Sequence, residues 1–595
     1  MHLSLLSLLL LLPISSSLFI PRNQSHSLQK PKSTIPIDYL KSILKSAVSK
    51  GSLKCRECST LVEALQQLLN DKVPEEIIDD FVKQACLTLD LEIPYVCDAL
   101  VDQFMNELYF VVDQVLFTPD EICGIFLDDC GTPVNPKKIL WNVTIPDGKP
   151  PVQPWPVPTN PPKTLRVLHL SDIHIDRKYQ EGTEAMCWDN NTRTIFTLCC
   201  RDYPTVEGQT QSNVINTPAG KWGMLTNCDL PYITFDSAMR HIAATHTDLD
   251  YIMITGDMQA HDCWDYTKEL TTTNVNNITA TLLQYFPNTP IYEAVGNHEG
   301  VPQDAMAPHK MDEYETRGPQ WLYSLLSTDW GNWITDEAKS DVQYRASYVL
   351  YPVPGLKLIS LNTVYCSAYN FYIYLNQTDP DDTMTWLINH LSESESKGEK
   401  VHIISHIPPG VDYCLEGWTK NYYDIVNRFE STIAGQFFGH THQDHFEVYY
   451  SNSSLSGRPS HFNFISPSLT TYNYNNPAYR IYTIDGGYDG ASYTVLDAET
   501  YTTDVDEANR SGNEPQWFLE YTTKDTYSMP DLSPASWNDL IDRLATDDEL
   551  FKIFHRNYYR ADTDPDCYKT PSCRSEFICS LRSAKSYEQQ TFCPQ

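Results

Sequence analysis

Apolar residues follow two rhythms along this chain. Between Cys55 and Cys130 they recur every three or four positions. Leu61, Leu65, Leu68 and Leu69 form one row, Ile77, Phe81, Ala85 and Leu89 a second, and Leu100, Phe104, Leu108, Val111 and Val115 a third. That is the period of helices with one buried face, so 51–134 reads as an all-α domain. From Lys163 onward the rhythm changes. Leu165–Leu170, Tyr251–Ile254, Ile291–Val295, Leu356–Leu361, Val401–Ile404 and Ala434–Phe438 are short apolar runs separated by helical stretches. Buried strands covered by helices are the expectation, an α/β domain over 163–500. Residues 501–595 read as a helical C-terminal region, rich in cysteine at its end. Between the two rhythms, in 135–162, eight prolines from Pro146 to Pro162 predict an extended, semi-rigid linker. Trp155 within it is expected to pack on a neighbour. No internal repeat is present.

The 17 cysteines fall into three groups: six from Cys55 to Cys130, seven from Cys187 to Cys414, and four from Cys567 to Cys593. That usage suits an oxidising compartment, and an odd total leaves one thiol over. Residues 1–17 agree. The apolar block Leu3–Leu12, followed by Ser15–Ser17, reads as a secretory signal peptide. No stretch of ~20 apolar residues follows, so no transmembrane anchor is expected. Seven sequons, at Asn23, Asn142, Asn190, Asn277, Asn376, Asn452 and Asn509, support a secreted or lysosomal setting. The net charge of −34 excludes a nucleic-acid binder held by a general basic surface. Protonating the 17 histidines would halve that charge, so an acidic workplace would relieve self-repulsion. Six cysteines leave many pairings open for the helical segment. With its cysteines near helix ends, the segment resembles a saposin B-type domain, a lipid-binding module. That resemblance implies the nested pairs Cys55–Cys130, Cys58–Cys123 and Cys86–Cys97. The plain alternative is a disulfide-stapled bundle without a lipid role.

The predicted strands end on chemistry. Asp172 and His174 follow the first run, in Ser-Asp-Ile-His. Asp257 follows the second, in Thr-Gly-Asp. Asn297 and His298 follow the third, in Gly-Asn-His-Glu. His406 stands in Ser-His-Ile-Pro-Pro, and His440 and His442 in Gly-His-Thr-His. In open α/β sheets, sites collect at the carboxyl ends of strands. Two divalent ions ~3.5–4 Å apart need a bridging carboxylate flanked by further ligands. Imidazole and carboxylate suit zinc, and also iron or manganese. Asp-x-His and His-x-His on extended backbone would each present both side chains to one side.

This ordered set resembles the calcineurin-like metallophosphoesterase superfamily. The resemblance implies that Asp172, His174, Asp257 and His442 hold one metal. Asp257, Asn297, His406 and His440 would hold the other, with Asp257 bridging. A closer resemblance, over roughly residues 50 to 595, is to the acid sphingomyelinase family. It rests on the helical segment before a Pro-rich linker, on Gly256-Asp257-Met258-Gln259-Ala260-His261-Asp262, and on Thr470-Thr471-Tyr472 through Pro477-Ala478-Tyr479-Arg480-Ile481-Tyr482. Met258-Gln259 is a local variation that touches no ligand.

The implied architecture is multidomain. It joins an all-α saposin-type domain to an α/β four-layer (α/β/β/α) metallophosphoesterase domain with a helical, disulfide-stapled C-terminal region. The implied activity is a secreted or lysosomal phosphodiesterase with two Zn2+ per chain, hydrolysing sphingomyelin in membranes to ceramide and phosphocholine. Anionic lipids would activate it, and a monomer is expected. The family pattern also implies Cys187–Cys199, Cys200–Cys228, Cys366–Cys414, Cys567–Cys573 and Cys579–Cys593, leaving Cys263 as a small buried residue. His298 and His261 remain once the metals are served, and either could protonate the leaving alkoxide or bind phosphoryl oxygens. Tyr472 and Asn473 could line the headgroup pocket, whereas His169, His402 and His445 read as structural. Two rivals stay open: a phosphodiesterase for nucleotides or other soluble phosphoesters, and a non-catalytic lipid-binding protein.

Overall fold

The computed structural model describes residues 55–595 apart from 71, 89–91, 116, 128–129, 188–197, 205–214, 453, 473, 561–570, 588 and 593–595. The signal peptide, Asn23, Leu89, Asn190, Asn473, Cys567 and Cys593 lie outside the described residues, as do the side chains of Leu61, Leu65, Leu68 and Leu69. Near Ile139 the chain divides into two compact units.

Among the described residues the first unit contains four α-helices: α1 (Cys55–Asn70), α2 (Glu75–Thr88), α3 (Pro94–Gln114) and α4 (Pro119–Cys123). Pro94 opens α3 in its first turn, where a missing N–H costs nothing. Thr118 and Glu121 close α4 with a capping box: Glu121 N–H donates to Thr118 Oγ1 at 3.3 Å, and Thr118 N–H to Glu121 Oε2 at 2.8 Å. The disulfides are Cys55–Cys130, Cys58–Cys123 and Cys86–Cys97. Leu100, Leu108, Val111 and Val115 are buried, as their spacing predicts. In α2 the buried row is Ile78, Phe81, Val82 and Ala85, while Ile77 is 47% exposed. The inward stripe therefore begins one residue later than expected.

The second unit is an α/β fold built on two mixed sheets. Its strands are β1 (Thr164–Leu170), β2 (Tyr251–Ile254), β3 (Ile291–Glu293), β4 (Tyr348–Val353), β5 (Leu356–Leu361), β6 (Lys400–Ser405), β7 (Ile433–Phe438), β8 (His445–Tyr450), β9 (Pro459–Ile465), β10 (Ala478–Asp485), β11 (Val495–Thr503) and β12 (Trp517–Thr522). One sheet runs β12-β11-β10-β1-β2-β3, the other β4-β5-β6-β7-β9-β8. All six expected runs are strands. β5 and β7 are buried at every position, as strands covered on both faces must be.

Aromatic rings join the sheets. Tyr482 on β10 lies 5.0 Å from both Phe437 on β7 and Phe464 on β9, and His169 on β1 lies 6.1 Å from Phe437. Helices Thr383–Lys397 and Glu416–Arg428 press Leu387, Leu391, Trp418 and Tyr422 onto Ile359, Val401, Ile403 and Ile433. Helix Tyr232–Thr245 sets His241 against Tyr479 and Trp517 on the other sheet. The first sheet runs past residue 500, through the end of β11 and β12, and beyond it the C-terminal region is helical: Pro534–Leu544, Asp548–Tyr559 and Pro571–Leu581. Cys187–Cys199, Cys200–Cys228 and Cys366–Cys414 are bonded, Cys573 and Cys579 also sit in disulfides, and Cys263 is buried. Among the described residues no helix is long and apolar enough to cross a membrane.

The proline-rich stretch differs from a free span. From Leu140 it is strapped along the α/β unit. Trp141 joins that unit's core, and Asn421 binds the Val143 N–H at 2.9 Å and the Trp141 carbonyl at 2.9 Å. Arg428 Nε donates to the Pro146 carbonyl at 2.9 Å. Trp155 packs edge-on against His461 at 5.2 Å. Trp155 packs as expected, while Trp141 and the polar partners Asn421 and Arg428, which a proline count does not reveal, fix the rest.

Candidate metal centre

Strands β1, β2 and β3 run parallel, as do β5, β6, β7 and β9, so the predicted residues emerge at the carboxyl ends of their strands. Asp172 and His174 follow β1, Asp257 follows β2, and Asn297 and His298 follow β3. His406 follows β6, and His440 and His442 follow β7. The backbone there is not extended. Asp172 (φ 49°), His174 (φ 41°), Asp257 (φ 60°), His440 (φ 72°) and His442 (φ 65°) all adopt left-handed conformations. Asp-x-His and His-x-His converge through two left-handed residues each rather than through strand alternation. Such conformations cost of order 1–3 kcal/mol each and persist where the surroundings impose them. The neighbouring glycines make room. A Cβ on Gly256 would lie 2.5 Å from the Gly296 nitrogen, and one on Gly439 would strike Ser171 and Asp172.

The ring nitrogens show what the cluster can hold. His174 Nδ1 lies 2.6 Å from the Gln259 carbonyl, which only an N–H satisfies. Its Nε2 is then a lone pair, 3.2 Å from His442 Nε2, 3.6 Å from Asp257 Oδ2 and 3.9 Å from Asp172 Oδ1. Burial holds His174 and His442 well below the usual histidine range, so neither supplies a proton to share. The second half repeats the pattern. His406 Nδ1 meets the Thr255 carbonyl at 2.6 Å, and its Nε2 faces Asp257 Oδ2 at 3.0 Å, Asn297 Oδ1 at 3.0 Å and His440 Nδ1 at 3.2 Å. Burial disfavours a charge on His406, yet the Asp257 carboxylate outweighs it and raises the ring to about 9. Burial likewise opposes ionisation of Asp257, but the facing His406 and His298 hold it well below the carboxylate range.

Asp172, His174 and His442 can thus hold one cation and Asp257, His406 and His440 another. Asp257 Oδ2 faces both groups. Ring nitrogens and oxygens from different strands aim at common points and suit a cation that displaces the His406 Nε2 proton, and their imidazole, carboxylate and amide chemistry suits zinc, manganese or iron.

His261 and His298 border this cluster. One ring nitrogen from each of His174, His261 and His298 lies within 4.8 Å of the others. His261 Nδ1 is 2.9 Å from Asp229 Oδ1, and its backbone N–H donates to Asp229 Oδ2 at 2.6 Å. Asp229, fully buried, also accepts from Thr470 Oγ1 at 2.9 Å. It thereby settles the proton of His261 on Nδ1 and leaves Nε2 for chemistry. Tyr472 stacks on the His261 ring, with centroids 3.9 Å apart. His298 sits deeper. Its Nδ1 is 2.6 Å from Tyr266 Oη, whose own hydrogen goes to the Ala260 carbonyl, and its Nε2 is 3.0 Å from Gln303 Nε2. Burial lowers His298 to about 4 although Asp257 stands beside it.

Sequence reasoning passed over Asp229, Tyr266 and Glu299. Glu299 accepts the backbone N–H groups of Met258 at 2.6 Å and Gly296 at 2.6 Å, tying the ends of β2 and β3 together. It stands inside Gly-Asn-His-Glu and was legible there, whereas Asp229 adjoins a cysteine in a loop without any motif. His169, His402 and His445 are buried and bonded to Thr255, Tyr493 and Thr441, as structural histidines are.

Residues 165–444 match the calcineurin-like phosphoesterase family, and 458–591 match the acid sphingomyelin phosphodiesterase C-terminal region. Sphingomyelin phosphodiesterase 2 of Caenorhabditis elegans is 53% identical over 91% of this chain and 88% of its own length. The chain belongs to the sphingomyelin phosphodiesterase family. Sphingomyelin phosphodiesterase of Homo sapiens is 35% identical over 91% of this chain and 83% of its own length. Cyclic GMP-AMP phosphodiesterase SMPDL3A of Rattus norvegicus is 32% identical over 72% of this chain and 92% of its own length. This sphingomyelin phosphodiesterase family member is thus a metal-dependent phosphoric diester hydrolase by fold and by descent.

Proposed function

We propose that this chain is a secreted or lysosomal, zinc-dependent enzyme that hydrolyses sphingomyelin to ceramide and phosphocholine. The observation that carries the reading is the inward convergence of His174, His442, His406 and His440 nitrogens with Asp172, Asp257 and Asn297 oxygens. Asp172, His174, Asp257 and His442 would hold one Zn2+, and Asp257, Asn297, His406 and His440 the other. A bound cation pair supplies positive charge for the phosphoryl oxygens and a water of lowered pKa. The chain's own residues do the rest. His261, entering the step doubly protonated with its Nδ1–H held by Asp229, gives its Nε2 proton to the departing ceramide oxygen as general acid and is left neutral. His298, its Nδ1–H held by Tyr266, would donate to a phosphoryl oxygen from Nε2 only in its protonated form, with the Gln303 contact released.

In the same reading 51–134 is a saposin B-type domain that brings the enzyme to its bilayer substrate, 135–162 the linker, 163–500 the phosphoesterase domain and 501–595 its C-terminal region. The nested disulfides and amphipathic helices support it. Anionic lipids activate the enzyme at low pH, and the working unit is a monomer. The 91% coverage by sphingomyelin phosphodiesterases, against 72% for the cyclic GMP-AMP enzyme, favours the lipid over a nucleotide substrate.

The test is a parallel product assay on zinc-loaded protein with sphingomyelin liposomes, phosphatidylcholine liposomes and a cyclic dinucleotide. Phosphocholine release from sphingomyelin well above the other turnovers supports the reading. Preference for the dinucleotide overturns it in favour of a nucleotide phosphodiesterase. Absence of all turnover in a metal-loaded protein leaves only lipid binding.

A further inference from the structure

Asn297 has an amide, and an amide has two ends of nearly equal shape and opposite hydrogen-bonding character. Only its carbonyl oxygen can face a cation. In this chain Asn297 Oδ1 points into the cluster, 3.0 Å from His406 Nε2 and 3.1 Å from His440 Nδ1. Its Nδ2 points away and donates to Tyr413 Oη at 3.4 Å.

Tyr413 can accept that bond because its own hydrogen is committed elsewhere. Tyr413 Oη donates to Asp304 Oδ2 at 2.7 Å, and Asp304 is buried. A phenol carries one hydrogen, so this commitment turns its remaining lone pairs toward Asn297. The same ring packs against His440, with centroids 4.5 Å apart. One side chain therefore braces two residues of the second cation group.

Both members of the pair are themselves held. The Asp304 N–H donates to the Asn297 carbonyl at 2.9 Å, so Asp304 holds the Asn297 backbone directly and its amide through Tyr413. Tyr413 precedes Cys414, which is bonded to Cys366, and the Tyr413 carbonyl accepts from the Ala368 N–H at 2.8 Å. The first group is held by other residues: Ser171 Oγ donates to the Asp172 carboxylate and accepts from Thr255 Oγ1 at 2.7 Å. There His174 is oriented by the Gln259 carbonyl, and the Asp172 carboxylate accepts the His440 N–H at 2.9 Å.

We propose that Tyr413 and Asp304 are positioning residues that select the carbonyl end of Asn297 and seat His440, and so set the affinity of the second cation position alone. Groups that orient metal ligands typically contribute 10–100-fold in metal affinity, and about that loss is expected when the phenol oxygen is removed. The inference rests on the two-cation reading of the site.

The test is a zinc titration of the chelated full chain, followed by equilibrium dialysis and metal analysis, on wild type, Tyr413→Phe, Asp304→Asn and Asp304→Ala. A wild type that takes up no second zinc fails the two-cation reading itself, before any variant is compared. With two zincs in the wild type, Tyr413→Phe is expected to weaken one binding step about 10–100-fold and to leave the other in place. Asp304→Ala should behave in the same way. Asp304→Asn, which keeps an acceptor for the phenol, should restore most of the affinity. Wild-type binding of both zincs by Tyr413→Phe overturns the proposal. Equal loss at both positions together with a lowered melting temperature also overturns it, because the pair would then be structural.

Discussion

The two units of this chain are held by different means. The helical unit is small, and three disulfides close it, one across 75 residues and one across 65. A short helical chain buries too little surface to stand alone, and cross-links restrict its unfolded state instead. The α/β unit relies on a continuous interior: two sheets, rings stacked between them and helices on both outer faces. Its local contacts carry chemistry as well as stability. Glu299 and Asp229, buried carboxylates inside the fold, hold the backbone of the loop that follows β2. In the helical unit polar side chains tie helix to helix, as Lys83 to Asp102 at 2.9 Å and Tyr109 to Asp79 at 2.7 Å, whereas in the α/β unit Asp229 and the Gln259 carbonyl orient histidines. The first kind of region tolerates surface change, whereas the second transmits any disturbance to the site.

The largest effect that separates the units belongs to Asp257→Asn. It removes the charge from the oxygen that faces both cation groups, so turnover should fall to near background on liposomes and on a small soluble diester alike. Metal analysis should show cation loss; a metal-replete, fully active variant would contradict the shared role. Next come the histidines. His261→Ala should retain both cations and lose about 10²–10⁴-fold in kcat, the usual range for a missing proton donor. Asp229→Asn should lose less, and its pH profile should shift relative to wild type. His298→Ala should also keep its metals while slowing turnover, and loss of cations there would make it a ligand instead.

The helical unit should respond the other way. Leu108 is fully buried, so Leu108→Asp should unfold that unit and remove most activity on sphingomyelin liposomes while hydrolysis of a soluble diester survives. Ile77→Asp, on an exposed residue, should reduce liposome activity without lowering the melting temperature. Equal loss of both activities in a folded Ile77→Asp protein would remove the lipid-access role.

The smallest expected effect is on stability against pH. Burial raises Glu293 and Glu447 of the α/β unit from 4.5 to about 8. Between those values the folded state binds more protons than the unfolded one, so stability falls as pH rises. Burial lowers His169 to about 3 and His402 to about 4 from 6.5, and these rings withdraw stability as pH falls through that window. The melting temperature should therefore peak between about pH 4.5 and 6.5 and decline by several degrees toward pH 8. Glu447→Gln should flatten the alkaline decline. A melting temperature that rises from pH 6.5 to 8 would refute the assignment.

Local spacing alone determined a good deal of this protein. The strand-end residues Asp172, His174, Asp257, Asn297, His406, His440 and His442 were legible because each motif is short and strand–turn segments deliver their ends to one edge of a sheet. The six apolar runs were legible because strands covered on both faces are mostly apolar, and their few polar residues, such as His169 and His402, find partners inside the fold. Strand β4 and strands β8 to β12 were not, because their patterns are broken by polar and aromatic positions whose partners lie elsewhere in the chain. Tertiary structure alone decided which atoms meet. Left-handed backbone, not extended chain, turns His440 and His442 inward. Asn509, a sequon by sequence, commits its amide to the Gly223 carbonyl at 2.8 Å and the Trp222 N–H at 3.0 Å. Asp229 lies 32 residues from His261 and Asp304 lies 109 residues from Tyr413, yet both pairs share a hydrogen bond. Spacing along a chain encodes which face a residue takes on its own element. The proton it holds, and the ligand atom it turns, depend on neighbours that only folding supplies.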